Sequence, residues 1–124
     1  MRQILDAGAL IALERGNRLV WNMVKDERRR GSEPLTHAGV LAQVWRGGRQ
    51  ARLSMSLRGI EVAVLDQNLA IKAGALLGAA RKADAIDAAV IMLASDGDVI
   101  FTSDPDDIAT LAVAADLHVE VVRV

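Results

Sequence analysis

The chain contains no cysteine among its 124 residues. Disulfide bonds and thiolate metal sites are therefore excluded, and nothing points to an oxidising compartment. Tyrosine is also absent, and the aromatic residues are one phenylalanine and two tryptophans. This composition leaves little material for stacking nucleic-acid bases, so any recognition of a nucleic acid is expected to depend on backbone shape and charge.

Proline is scarce as well, with two residues, and no linker, repeat or low-complexity tract divides the chain. We expect a single domain over residues 1–124, which is long enough to bury one core without a staple. No apolar run approaches the ~20 residues of a membrane span. The first apolar stretch is broken by Asp6 and closed by Glu14 and Arg15, which argues against a signal peptide. The expected compartment is the cytoplasm.

The charges are divided unevenly, although the net charge is only −1. Residues 1–60 carry 11 Lys/Arg against 5 Asp/Glu, a net +6, whereas residues 61–124 carry 4 against 11, a net −7. Such asymmetry can place an acidic site beside a basic rim, as an enzyme acting on a polyanion requires. Two oppositely charged solvated faces would explain it equally well.

Hydrophobic periodicity predicts alternating strands and helices along the whole chain. The predicted strands cover residues 2–5, 34–37, 60–65, 99–102 and 118–124. The predicted helices cover residues 7–16, 20–30, 38–46, 49–58, 67–82, 84–95 and 104–116. Strands joined by helical crossovers require a mostly parallel sheet, because parallel neighbours cannot be joined by tight turns. We therefore predict a three-layer α/β/α sandwich with a mostly parallel sheet of about five strands.

Aspartates stand where predicted strands end or predicted helices begin. They are Asp6, Asp84, Asp87, Asp104 and Asp107. In a parallel sheet those positions gather at one edge, so distant carboxylates can converge on a small volume. Clustered carboxylates repel one another unless a cation neutralises them, and Mg²⁺ and Mn²⁺ prefer oxygen ligands. Helix capping explains any one pair of these residues more simply, but three such positions favour a cation site.

Three segments carry a resemblance to a known family. LDAGALIALE begins at residue 5, ADAIDAAVIMLA at residue 83 and FTSDPDDIATLA at residue 101. In this order and chain length they resemble the PIN domain of VapC-type toxins. The resemblance implies an Mg²⁺- or Mn²⁺-dependent endoribonuclease, usually a homodimer, which a small antitoxin protein inhibits. Its substrate would be RNA.

The same resemblance assigns roles to the acidic residues. Asp6, Asp84 and Asp104 match the catalytic acids of the family, and these three together with Asp107 are the expected metal ligands. Asp87 and Ser103 are expected auxiliaries. The family usually has a glutamate in the helix that corresponds to residues 38–46, where this chain has Gln43. An amide oxygen can ligate a hard cation or hold a metal-bound water, although it lacks the charge, so we also assign Gln43 an auxiliary role.

Basic residues of the first half are the candidates for RNA contact, since guanidinium groups neutralise phosphates. They are Arg15, Arg46, Arg49 and Arg52. His37 and His118 are too few and too far apart in sequence to suggest paired-histidine catalysis. Two alternatives stay open. One is a PIN-like module that dimerises and captures an antitoxin-like partner without cleaving RNA. The other is a receiver-like phosphoacceptor, which is disfavoured because no convincing lysine follows a late strand.

Overall fold

A computed structural model describes residues 1–124 and contains the twelve elements expected from the sequence, in the expected order. The strands are β1 (Gln3–Leu5), β2 (Leu35–His37), β3 (Glu61–Ala63), β4 (Val99–Thr102) and β5 (Glu120–Arg123). The helices are α1 (Ala7–Glu14), α2 (Arg18–Arg29), α3 (Ala38–Val44), α4 (Ala51–Leu57), α5 (Gln67–Ala80), α6 (Ala85–Leu93) and α7 (Pro105–Ala114).

The five strands form one sheet in the order β3-β2-β1-β4-β5, and every neighbouring pair is parallel. The central strands β1 and β4 are buried throughout, as expected for apolar strands covered on both faces. The outermost strands β3 and β5 are partly exposed. The chain extends the sheet in one direction up to β3 and then returns to β4, so the strand order reverses between β1 and β4. Sites in open α/β sheets form outside the carboxyl ends of the strands at such a reversal.

The helices pack in two groups, one of α1 with α2, α3 and α4, the other of α5 with α6 and α7. The sheet between them completes a three-layer α/β/α sandwich, which confirms the predicted fold class. A contiguous core of buried apolar side chains joins the strands to both groups, with Ile4, Leu10 and Ile100 fully buried. Polar caps fix several helix starts: Asn17 accepts a hydrogen bond from the Val20 N–H, and Asp66 accepts one from the Leu69 N–H.

None of the seven helices combines the length and hydrophobicity that a bilayer crossing requires.

Candidate functional site

Asp6 directly follows β1 and is 6% exposed. Its carboxylate oxygen Oδ2 accepts a hydrogen bond of 2.8 Å from the Thr102 hydroxyl at the end of β4. The same hydroxyl oxygen accepts a hydrogen bond of 3.0 Å from the Asp104 N–H. Thr102 is fully buried, so one hydroxyl group connects the ends of the two central strands. The acid at the first strand is thereby held beside the loop that carries Asp104.

Three further carboxylates gather at this edge of the sheet. Asp87 lies in the first turn of α6, Asp104 immediately precedes α7, and Asp107 lies in the first turn of α7. One carboxylate oxygen from each lies within 4.8 Å of the others. Oxygen atoms at this separation can ligate a single hard cation after small side-chain rotations. We refer to Asp87, Asp104 and Asp107 as the acidic trio.

The electrostatics of the trio are most unfavourable at Asp87. Burial raises the pKa of Asp87 to about 7, and repulsion from the carboxylates of Asp84, Asp6, Asp104 and Asp107 adds to the increase. Both causes disfavour the charged form, since burial removes hydration and like charges repel. In the metal-free protein, a fraction of the Asp87 side chains therefore carries a proton near neutral pH. The residues of the trio fit a divalent ion for this reason.

The pKa values of Asp104 and Asp107 are shifted in opposite directions. Lys82 donates a hydrogen bond of 3.1 Å to Asp107 Oδ1, and this contact lowers the pKa of Asp107. A hydrogen bond with Asp107 raises the pKa of Asp104. Lys82 follows α5 and supplies the one cationic side chain that contacts the trio. No sequence pattern indicates this role, because Lys82 and Asp107 are 25 residues apart along the chain.

Asp84 occupies the N-cap of α6, where its Oδ1 atom accepts 3.0 Å hydrogen bonds from the N–H groups of Ile86 and Asp87. This is the capping geometry that the sequence offered as the simpler alternative for this residue. Asp84 is exposed, and it acts on the trio through its repulsion of Asp87. The assignment of a catalytic role to Asp84 and an auxiliary one to Asp87 remains a prediction. The geometry gives Asp87 the more central place.

The auxiliary candidates lie at different places. Gln43 is on α3, exposed and without a hydrogen-bond partner among the protein groups. Ser103 is exposed and lies against Gly8 in the first turn of α1. His37 is 1% exposed, and its Nδ1 atom accepts a hydrogen bond from the Gly39 N–H. Burial lowers the pKa of His37. The neutral form is therefore favoured, which fits a structural role for this histidine.

The four candidate arginines do not converge on one point. Arg46 follows α3 and donates hydrogen bonds to the carbonyl groups of Ala42 and Trp45 at the end of that helix. Arg49 is exposed in the loop before α4. Arg15 and Arg52 line two different cavities, of about 310 Å³ and 470 Å³, and Ser103 lines the cavity of Arg15. Of the four, Arg15 therefore shares a surface with the residues around the acidic trio.

Comparisons with known proteins establish a likeness of fold. No family model matches the chain, and no curated protein matches it in sequence. The chain is similar to a chain in the crystal structure of VapBC2 from Rickettsia felis bound to a DNA fragment from their promoter. The TM-score is 0.73 with 14% sequence identity, and the match covers 98% of each chain. This likeness confirms the expected fold over almost the entire length of the chain.

Proposed function

We propose that this chain, with the fold of the VapC-type PIN domains it resembles, is a metal-dependent endoribonuclease that hydrolyses RNA phosphodiester bonds. The observation that carries the proposal is the acidic trio, whose carboxylate oxygens lie within 4.8 Å of one another beside the buried Asp6. Acids that are concentrated in this way with few counter-charges favour a bound cation. Lys82 compensates only Asp107.

Asp87, Asp104 and Asp107 would hold the ion, with Asp6 on the adjoining strand end. A divalent cation there, Mg²⁺ or Mn²⁺, would supply a Lewis acid for the phosphodiester and lower the pKa of a water molecule. Asp6 is held by Thr102 and cannot swing away without losing a buried hydrogen bond. Asp84 keeps the first turn of α6, and hence Asp87, in place.

The fold, together with the resemblance, supports a toxin that a small antitoxin protein inhibits, acting in the cytoplasm where its RNA substrate is found. An apolar cavity of about 380 Å³ on α3 and α4, lined by Leu41, Trp45 and Leu57 among others, is available to a protein partner. Trp45 is 40% exposed, and Val64 and Ile71 are more exposed still. Exposed apolar surface of this kind favours a homodimer or a bound antitoxin. Sedimentation at micromolar concentration should detect the dimer.

The test is RNA cleavage in the presence of Mn²⁺ by the wild type and by Asp87→Asn, which keeps the shape of the side chain and removes its charge. We expect a loss of activity of at least ~100-fold. An ion held by fewer carboxylates is bound more weakly and lies in the wrong position for the reaction. Asp106→Asn is a matched control in the first turn of α7, where Asp107 also lies, since the Asp106 side chain is exposed and makes no hydrogen bond. Equal loss in both variants, or undiminished cleavage by Asp87→Asn, would refute the proposal.

A binding module that no longer cleaves RNA is the second candidate, and Gln43 is the observation that favours it. Thermal unfolding with and without Mn²⁺ detects the ion in either case, since an ion at one hundred times its Kd stabilises the native state by about 2.7 kcal/mol. A thermal shift without cleavage would select the module. If the protein is such a module, Gln43→Glu is expected to raise its affinity for Mn²⁺ only if the side chain of residue 43 reaches the ion.

A further inference from the structure

A cavity of about 470 Å³ lies where α1 ends and α2 begins, against α4. It is lined by Gly16, Arg18, Trp21, Asn22, Lys25, Arg52 and Met55. Three of these side chains are cationic and none is acidic. The acidic trio and Asp6 are at the opposite end of α1, because Asp6 is the N-cap of that helix and Gly16 follows its last turn. The cavity is therefore a place separate from the candidate metal site.

The cations around this cavity are not compensated by carboxylates. Arg18 and Lys25 are seven residues apart on α2, so they project from the same face two turns apart. Neither of them, nor Arg52, forms an ion pair with an acid. Arg52 donates a hydrogen bond of 3.5 Å to the Glu14 carbonyl group, and the Glu14 carboxylate accepts one of 2.7 Å from the Leu53 N–H. Three cations without an ion-pair partner around one concave volume favour an anion there.

The wall of the cavity is suited to a flat apolar group. Trp21 is half-buried, and its Nε1–H donates a hydrogen bond of 3.0 Å to the Leu13 carbonyl group. This hydrogen bond fixes the orientation of the indole ring and leaves no polar atom of the ring unsatisfied. Met55 lines the same cavity and is 64% exposed. An aromatic side chain beside cations is a combination that binds a base together with its phosphate.

We propose that this cavity binds one nucleotide of single-stranded RNA, with the base against Trp21 and Met55. The phosphate groups on the two sides of this nucleotide contact Arg18, Lys25 and Arg52. The identity of the polyanion rests on the proposed function. Helix α1 has eight residues, so the cavity lies at least ~12 Å from Asp6. That length corresponds to three or four stacked nucleotides at ~3.4 Å each. The cavity would thus hold the RNA strand a few nucleotides away from the bond that is cleaved.

The direct test is the binding of a short fluorescein-labelled oligouridine in EDTA, where cleavage does not interfere. The double variant Arg18→Ala/Lys25→Ala is expected to bind at least ~5-fold more weakly at low salt, and the slope of log K against log[salt] should fall by about 2. Arg58→Ala/Lys72→Ala is the matched control, since both side chains are exposed and form no ion pair. Equal weakening in the control would overturn the proposal.

The fluorescence of Trp21 provides a second readout in a Trp45→Phe background, where Trp21 is the remaining tryptophan. Oligouridine is expected to quench this fluorescence, and unchanged emission at saturation would overturn the placement of the base. An oligoglutamate of the same length that binds more tightly than the oligouridine would assign the cavity to an acidic protein partner instead. Because binding is measured without metal, absence of RNA cleavage would refute the proposed enzyme and leave this inference standing.

Discussion

At the scale of single residues, Thr102 determines how two distant acids are positioned. Its hydroxyl group donates to Asp6 and accepts from the N–H of Asp104, and all three groups belong to the ends of the two central strands. The structure shows that this hydroxyl group links one acid to the backbone of another.

Thr102→Val removes this link with little change of shape. We expect the free energy of unfolding to fall by about 1–3 kcal/mol, because a buried carboxylate loses its partner. Mn²⁺ affinity should fall as well, since Asp6 is no longer held toward the trio. Urea denaturation and calorimetric titration measure the two effects. Thr102→Ser keeps the hydroxyl group and should restore most of the Mn²⁺ affinity; if it binds as weakly as the valine variant, the hydrogen bond is not the cause.

At the scale of elements, the agreement between sequence and structure has a physical reason. Helices with one apolar stripe and strands with continuous apolar runs have different periods, so all twelve elements could be predicted. Their ends could not, as the third strand shows: it was expected over residues 60–65 and spans Glu61–Ala63. The choice between Asp84 and Asp87 was also out of reach, because both lie within one turn and only the packing of α6 beside α7 determines which carboxylate enters the cluster.

The approach of α1 to the loop after β4 depends on the absence of a side chain at Gly8. A Cβ atom there would lie 2.8 Å from both the backbone nitrogen and the Cβ atom of Ser103. Gly8→Ala should therefore destabilise the protein by about 1–3 kcal/mol through overpacking. Gly74→Ala is the control, since Gly74 lies inside α5 with open space around it, and should stabilise by about 0.4–1 kcal/mol. Denaturation midpoints that move in the same direction would contradict this reasoning.

At the scale of the whole molecule, the uneven charges of the chain become a division of surfaces. The second half supplies the acidic trio, and the first half supplies the cations of the 470 Å³ cavity at the far end of α1. The charge asymmetry of the sequence was equally consistent with an acidic site beside a basic rim and with two oppositely charged solvated faces. It could not predict that Arg15 and Arg52 would line separate cavities, because that depends on how α1 and α4 pack.

The acidic site also makes the stability of the metal-free protein depend on pH. The pKa of Asp87 is about 7 in the folded protein against 3.8 in the unfolded chain, so between these values the folded state retains a proton that the unfolded state releases. The free energy of unfolding should therefore decrease as the pH rises from about 4 through 7. The raised pKa of Asp104 acts in the same direction, whereas the lowered pKa of Asp107 has its effect below this window.

Urea denaturation in EDTA across this range measures the dependence. Asp87→Asn should flatten it, because the titrating group is removed, and added Mn²⁺ should flatten it in the wild type by neutralising the carboxylate. A variant with the same slope as the wild type would show that other groups are responsible.

The two outermost strands, β3 and β5, have three and four residues, and charged side chains stand at Glu61, Glu120 and Arg123. Glu61 is further engaged by Arg2. Short edge strands with charged side chains pair poorly with a peptide that would add a sixth strand to the sheet. An inhibitor of this molecule should accordingly bind as a helix or an irregular segment lying across the helical layers, and backbone pairing with the sheet should contribute nothing to its affinity.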